Sequence, residues 1–490
     1  MDLSRHFHSR ANQIPFLGLG LSVDVYSPNL LELSAALNSH HLSVGYFEIF
    51  QAHPDALRAI RTRLPGVSMA YHTEGLWFTQ PGWLRSGQAN FRLKQVCQDL
   101  SLLDARWVNQ ECATKEIGGS IFGTYVPPLF TNDSARLTAQ QLCEAQARLD
   151  GGAWGKQGSP LLLLEVPPLT YFGVGDLSYS EFFSRVADFA PCGFVLDIGH
   201  VWTAYRYTGT CRTHSFDEFI DSFLDEFPLD RVIQIHVAGL ACHPCISIEL
   251  SKSFGDGPSP LVDSHSAPIP QELFSALEKI LHDVRLRHLK GVALEVDNKD
   301  ISLICRELKF VQGQFGEVLE RIRLRNLTEG SIGKDEGYFD VDGRDTATSN
   351  SLHETLTRQY ADYVSVLTGK TQKTFKRGLS ISNESEWGAQ IYVDQYLPQE
   401  ILRWGGDLSE MFPRSCEALR HQGVELERFV KFWFETPCSG QPMAFDFFLM
   451  KIHRFVEFVH AVLPGEATMV DQEANILREG YYLSCQEVTV

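Results

Sequence analysis

No apolar run in this chain approaches the roughly 18 residues that a membrane-spanning helix requires, so no transmembrane segment is expected. The N-terminus, MDLSRHFHSR, is polar and lacks the apolar stretch of a secretory signal, so none is expected there. Basic residues are in deficit. Lys and Arg number 43 against 61 Asp and Glu, for a formal net charge of −18. Phosphate backbones need a basic footprint, so nucleic acid is disfavoured as a partner. Cysteine is sparse, with 11 in 490 residues and no dense framework. That pattern fits reduced thiols in a cytoplasmic protein better than a disulfide scaffold. A single C-x-x-C occurs, Cys242-His-Pro-Cys245, with no second pair to complete a four-cysteine zinc site. It stands as a candidate redox or substrate-gating motif.

What is present is a regular alternation. Short apolar runs at Phe16–Leu21, Tyr46–Phe50, Val67–Tyr71, Trp107–Glu111, Leu161–Glu165, Phe194–Asp197, Val232–His236 and Gly291–Glu295 read as strands. Amphipathic stretches such as Asp55–Leu64, Asn90–Leu103, Thr138–Leu149, Tyr179–Phe189, Phe216–Phe227 and Pro270–Asp283 separate them and read as helices. Eight strand–helix repeats in this span predict an α/β fold, a (β/α)8 TIM barrel of parallel strands. Residues 1–327 are expected to form it. Residues 328–350 are rich in Gly, Ser, Thr and Asp and read as a linker. Asp340-Val-Asp342-Gly343 within it lacks the ligand spacing of a calcium loop. Residues 351–490 read as a mostly helical C-terminal domain, with periodic apolar residues over Ser351–Thr368, Pro398–Arg403, Asp407–Gln422, Leu426–Glu435 and Phe445–Val462. The aromatic stretches there serve either a helical core or a docking surface, and core is the commoner use.

Polar residues close these strands in a repeated way. His72, Glu111, Glu165, Asp197 with His200, His236, Asp263 with His265, and Glu295 all fall at or just beyond strand ends. The C-terminal ends of barrel strands are where such a fold keeps its chemistry. Glu165 after four leucines is the hardest to dismiss, because a carboxylate there needs a cation or hydrogen bonds to offset its burial. Asp197-Ile-Gly-His200 is either a ligand pair or a helix-capping Asp with an incidental His. Asp263-Ser-His265 puts two donors on one face of an extended chain. Nine nitrogen and oxygen donors exceed what one ion takes and suffice for two or three. Ser251–Ser266, rich in Gly, Ser and Pro, suits a loop that closes over substrate.

Residues 14–310 resemble the multinuclear non-heme iron oxidases, the family of the methanobactin and thiaglutamate biosynthetic enzymes, in the xylose isomerase-like TIM-barrel superfamily. The resemblance rests on Ile14-Pro-Phe-Leu-Gly-Leu-Gly-Leu21, Phe47-Glu-Ile-Phe50, His72-Thr-Glu-Gly75, Leu164-Glu-Val166, Leu196-Asp-Ile-Gly-His200, Gln234-Ile-His-Val-Ala-Gly239, Val262-Asp-Ser-His-Ser-Ala-Pro268 and Leu294-Glu-Val-Asp297. The ligand order is also similar to that of trinuclear-zinc apurinic endonucleases. From either relative the resemblance implies one ion on His72, Glu111 and Glu165, a second on Glu165, Asp197, His236 and Glu295, and a third on His200, Asp263 and His265. The chain departs from both families at Glu111, where they carry His. Glu111 either ligates, favouring iron or manganese over zinc, or marks a lost position and a two-metal site.

The resemblance implies an iron-dependent oxidoreductase. It would use two or three Fe2+/Fe3+ ions and O2 to oxidise a cysteine-derived or other thiol-bearing substrate, small molecule or peptide, in natural-product biosynthesis. Glu165, Asp197, His236 and Glu295 would be its catalytic group. A partner protein, or residues 351–490 in cis, would present the substrate. A metal-dependent phosphodiesterase, an isomerase on the same barrel and a non-catalytic binding protein are the alternatives.

Overall fold

The computed structural model describes residues 3–118, 120–152, 154, 158–242, 261–329, 346–369, 379, 381, 383–403, 405–435 and 447–487. Eight parallel strands close into a barrel in simple sequential order. They are β1 (Gly18–Val23), β2 (Tyr46–Phe50), β3 (Ser68–His72), β4 (Trp107–Glu111), β5 (Leu161–Glu165), β6 (Gly193–Asp197), β7 (Val232–Val237) and β8 (Gly291–Glu295). All eight expected strands are present, shifted by two residues at most. Helices including Pro54–Arg63, Gly87–Leu103, Asn132–Asp150, Tyr179–Phe189, Phe216–Glu226 and Gln271–His282 alternate with them. Polar caps start several of these helices. Ser86, Thr131 and Ser178 each accept a hydrogen bond from the backbone N–H three residues on.

Strand parity explains the interior. Successive side chains alternate across a strand. Leu162 and Leu164 join the outer core beneath the helices, whereas Leu161 and Leu163 point into the barrel. That inner layer also holds Tyr46, Ala70, Trp107, Val195, Ile233 and Ala293, and the N-terminal helix Leu3–Ala11 plugs its lower end with Phe7 and Ala11. Two residues further along five of these strands, the same inward row reaches Glu48, His72, Glu165, Asp197 and Glu295. A greasy floor therefore sits directly below a charged layer.

At the floor, the His288 ring packs 5.5 Å from Phe7 and 4.6 Å from His8. Burial, and the charges of His8, Lys290 and Arg231, push the His288 imidazole down to about 3. The stability this neutral ring contributes is full above the unfolded value of 6.5 and is lost as pH falls from there toward about 3. His288→Phe is expected to flatten the fall in urea midpoint across that window. Parallel pH profiles for variant and wild type would contradict it.

The helical C-terminal region shares one core with excursions from the barrel's upper end. Leu356, Tyr360, Tyr363, Tyr392, Tyr396, Phe429, Trp433, Phe455 and Phe458 pack with Ile121, Phe122, Val126, Tyr171, Phe172 and Tyr207. The barrel partners lie in the hairpin Thr114–Ile117/Ser120–Val126 after β4, the segment after β5 and the helix after β6. Trp433 Nε1 donates to Ile121 O at 2.6 Å, and Tyr363 OH donates to Pro127 O at 3.3 Å. The approach is close enough that a Cβ at Gly388 would lie 1.8 Å from Tyr171 O.

The expected helix over Asp407–Gln422 is two helices, Leu408–Met411 and Pro413–His421, because Pro413 has no N–H to continue the first and is well placed to start the second. The helices Leu30–Ser39, Ile301–Glu329 and Ala467–Glu487 were not anticipated. Of the linker expectation, residues 328–329 and 346–350 belong to helices and the remainder lies outside the described residues, with Asp340–Gly343. No described helix is long and apolar enough to cross a membrane.

Candidate metal centre

Register sets the heights of the site residues. Glu111 pairs with Glu165 across β4 and β5, and Asp197 with His236 across β6 and β7. Each of the nine residues named from the sequence has a charged atom within 4 Å of another of them. Seven of them sit on or beside the barrel axis with 0–7% exposure. The Asp263 side chain follows at 9%, and that of His265 stands apart at 32%.

The central group is Glu165, Asp197, His236 and Glu295, whose donor atoms lie within 4.8 Å of one another. His236 Nδ1 is 3.2 Å from Glu165 Oε1 and 3.2 Å from Glu295 Oε1. A second group, Asp263, His265 and Glu295, meets the same distance. Glu295 thus joins the two. His200 comes beside this second group, its Nε2 3.6 Å from Asp263 Oδ2. On the other flank His72 Nε2 lies 3.3 Å from Glu165 Oε2 and 3.6 Å from Glu111 Oε1.

Asp197 shows how one residue fills two roles. Its Oδ1 caps the following helix by accepting from His200 N at 2.6 Å, while Oδ2 is buried and takes no hydrogen bond. Asp263 Oδ1 and Glu295 Oε2 are likewise buried and take no hydrogen bond. Buried carboxylate oxygens left unpaired are costly, and a cation among them satisfies them. The donor set is oxygen and imidazole nitrogen with no thiolate, which fits iron, manganese or zinc. The protonation pattern says the same. Burial pushes the His236 and His200 rings down, but the surrounding carboxylates outweigh it and hold both well above their ordinary value. His72 is held up to about 10 against its burial, chiefly by Glu111 and Glu165. Glu165 lies well below the usual carboxylate range because His236 and His72 outweigh its burial. Asp197 goes the other way, raised by burial and by Glu295 and Asp263 nearby. Positive charge is wanted here from any source.

Gly199 is needed for space. A Cβ there would stand 2.6 Å from Asp263 Oδ1. Gly199→Ala is therefore expected to lower bound metal per chain by displacing Asp263, with the circular dichroism of the fold unchanged. Full metal content in this variant would show that Asp263 is not a ligand.

Residues 17–312 match the family described as RiPP precursor modification enzyme MbnB/TglH/ChrH. The chain belongs to that family. It is an enzyme family of peptide-precursor modification, and its matched span contains all nine site residues and the whole barrel. Curated relatives are similar over parts of the same span. A UPF0276 protein of Anaeromyxobacter sp. is 27% identical over 28% of this chain and 44% of its own length. One from Caulobacter vibrioides is 22% identical over 36% of this chain and 52% of its own. One from Vibrio parahaemolyticus is 23% identical over 56% and 84%. The chain thus spans about half the length of the first two. Among solved structures it is similar to an endonuclease IV from Thermus thermophilus, at 17% identity over 62% of this chain and 99% of that one, TM-score 0.36. It is similar also to a sugar phosphate isomerase/epimerase from Parabacteroides distasonis, at 12% identity over 61% and 94%, TM-score 0.36.

In this family member, a supporting layer escaped the sequence reading. Val166 O accepts from His200 Nδ1 at 2.9 Å, which leaves Nε2 facing Asp263. Asp297 Oδ2 accepts from His265 Nδ1 at 2.9 Å and leaves that Nε2 toward Asp263 and Glu295. Asn109 Nδ2 donates to Glu165 Oε2. Glu48 Oε2 lies 2.6 Å from His236 Nε2. Partners of this kind fix the tautomer and orientation of an imidazole ligand. Cys242 is exposed, while residues 243–245 and most of Ser251–Ser266 lie outside the described residues.

Proposed function

We propose that this chain is a multinuclear iron-dependent oxidase that uses O2 to modify a cysteine-derived or other thiol-bearing substrate, peptide or small molecule, in natural-product biosynthesis. The observation that carries this reading is the pair of donor groups sharing Glu295, the central one fully buried, with Glu165 reaching toward a third position at His72. Membership of a family of peptide-precursor modifying enzymes supports it. Glu165, Asp197, His236 and Glu295 would hold the central ion. His72 and Glu111 would hold one neighbour, and His200, Asp263 and His265 the other. Bound iron would supply redox equivalents and open positions for a thiolate and for O2.

The chain's own residues do the rest. The apolar floor and the buried ligand layer keep water from the centre. His265 is the one site imidazole with substantial exposure, so substrate meets the site on its side. A thiol that ligates must lose its proton. Asp263 stays anionic there, because the neighbouring His200 and His265 outweigh its burial and hold it below the usual carboxylate range, so the proton leaves to solvent on the exposed His265 side. The region after residue 350 packs on the excursions at the barrel's upper end, Val262 beside Asp263 among them, and would enclose or present the substrate.

The test is O2 uptake by iron-loaded protein mixed with cysteine, small thiols and cysteine-containing peptides, with products read by mass spectrometry. Thiol-dependent uptake with a mass change on the thiol compound is expected. A product formed without O2 consumption would move the chain to hydrolysis or isomerisation.

A further inference from the structure

Glu48 is fully buried in the barrel, as Glu165 and Asp197 are, but the ligand groups do not use it. It sits mid-strand on β2, in the inward row that starts at Tyr46, and is 0% exposed. Its Oε1 takes part in no hydrogen bond. Among the described residues its one ion-pair contact is His236, whose Nε2 lies 2.6 Å from Glu48 Oε2. The other nitrogen of that ring, Nδ1, faces Glu165, Asp197 and Glu295 at 3.2, 3.9 and 3.2 Å. The imidazole is thus held between a carboxylate behind and the donor group in front. The His72 ring stacks over His236 at 6.2 Å between centroids, and the Glu48 charge acts on it as well.

A buried carboxylate whose single ionic partner is an imidazole is a poor choice for stability. Placed behind an imidazole ligand, the same charge fixes which nitrogen faces the ion and makes that nitrogen a stronger donor. We propose that Glu48 is a positioning residue. It holds His236 with Nδ1 toward the central ion, strengthens that ring as a donor, and so favours the more highly charged state of the bound metal. This rests on the metal reading of the site and not on any particular substrate.

The test uses the full-length protein with ferrous iron or manganese alone. Glu48→Gln is expected to weaken metal binding by about 10–100-fold and to raise the reduction potential of bound iron. The metal-free variant is expected to unfold at a lower temperature, by an amount that Glu48→Asp largely restores, because His236 otherwise keeps a buried charge without its partner. Glu48→Asp keeps the charge and should fall between the two in affinity. A Gln variant with unchanged affinity and potential would overturn the proposal. So would Gln and Asp variants that both lose stability without metal, which marks a purely structural residue. A wild type that binds neither metal would overturn this proposal and the iron reading together. A wild type that binds iron but shows no thiol oxidation would overturn only the substrate chemistry.

Discussion

Glu165→Ala is expected to remove metal from two positions at once and to abolish turnover. Its two oxygens reach in different directions. Oε1 lies 3.2 Å from His236 Nδ1 and 3.5 Å from His200 Nδ1, and Oε2 lies 3.3 Å from His72 Nε2. No other residue of the site touches three of its imidazoles. Changes to groups merely supporting a ligand cost about 10–100-fold in metal affinity, so loss of a shared ligand is expected to exceed that range. The barrel should survive, because the apolar floor and the outer core do not involve Glu165. Metal per chain, measured beside circular dichroism, checks this. Wild-type metal content in a folded Glu165→Ala variant would remove Glu165 from the ligand set.

The second large effect is on pH. Imidazoles that bind metal must first give up the proton that would otherwise neutralise the carboxylates. His72 is held at about 10, and His200, His236 and His265 well above their ordinary value, in each case by carboxylates that outweigh burial. Metal competes with those protons, so affinity should rise steeply with pH through the neutral range, with more than one proton released per ion. Calorimetry of iron or manganese binding in two buffers of different ionisation enthalpy counts them. The opposite sign applies to the metal-free fold. A His whose value is raised on folding contributes stability that is full below the unfolded 6.5 and lost as pH rises, for His72 through about 10. Metal uptake independent of pH across the neutral range would contradict the proton-for-metal exchange.

The barrel was legible because parallel strands are buried on both faces and read as apolar runs. Where such a run ended in an acid or histidine, as at Glu165, Asp197, His236 and Glu295, the residue could be picked out by its contrast with what precedes it. Glu48 has no such contrast. It lies inside Tyr46–Phe50, flanked by Phe47 and Ile49, and only the inward parity shared with Tyr46 identifies it. Asp297 sits past the end of β8, and its role depends on a contact with His265 made 32 residues away in sequence. The second place of Glu295, beside Asp263 and His265, was also beyond a linear reading. In the C-terminal region, Pro413 marked a break that apolar periodicity runs straight across. Phe429 and Trp433 turned inward to a core shared with the barrel's hairpin, the commoner of the two uses open to them.

The central claim is that several irons share one buried carboxylate-bridged layer. The measurement that tests it most directly is metal content and Mössbauer spectroscopy of protein purified without oxygen from iron-replete cells. Two or three irons per chain, including a magnetically coupled mixed-valence pair, are expected. Stoichiometric zinc that iron reconstitution does not displace would contradict it.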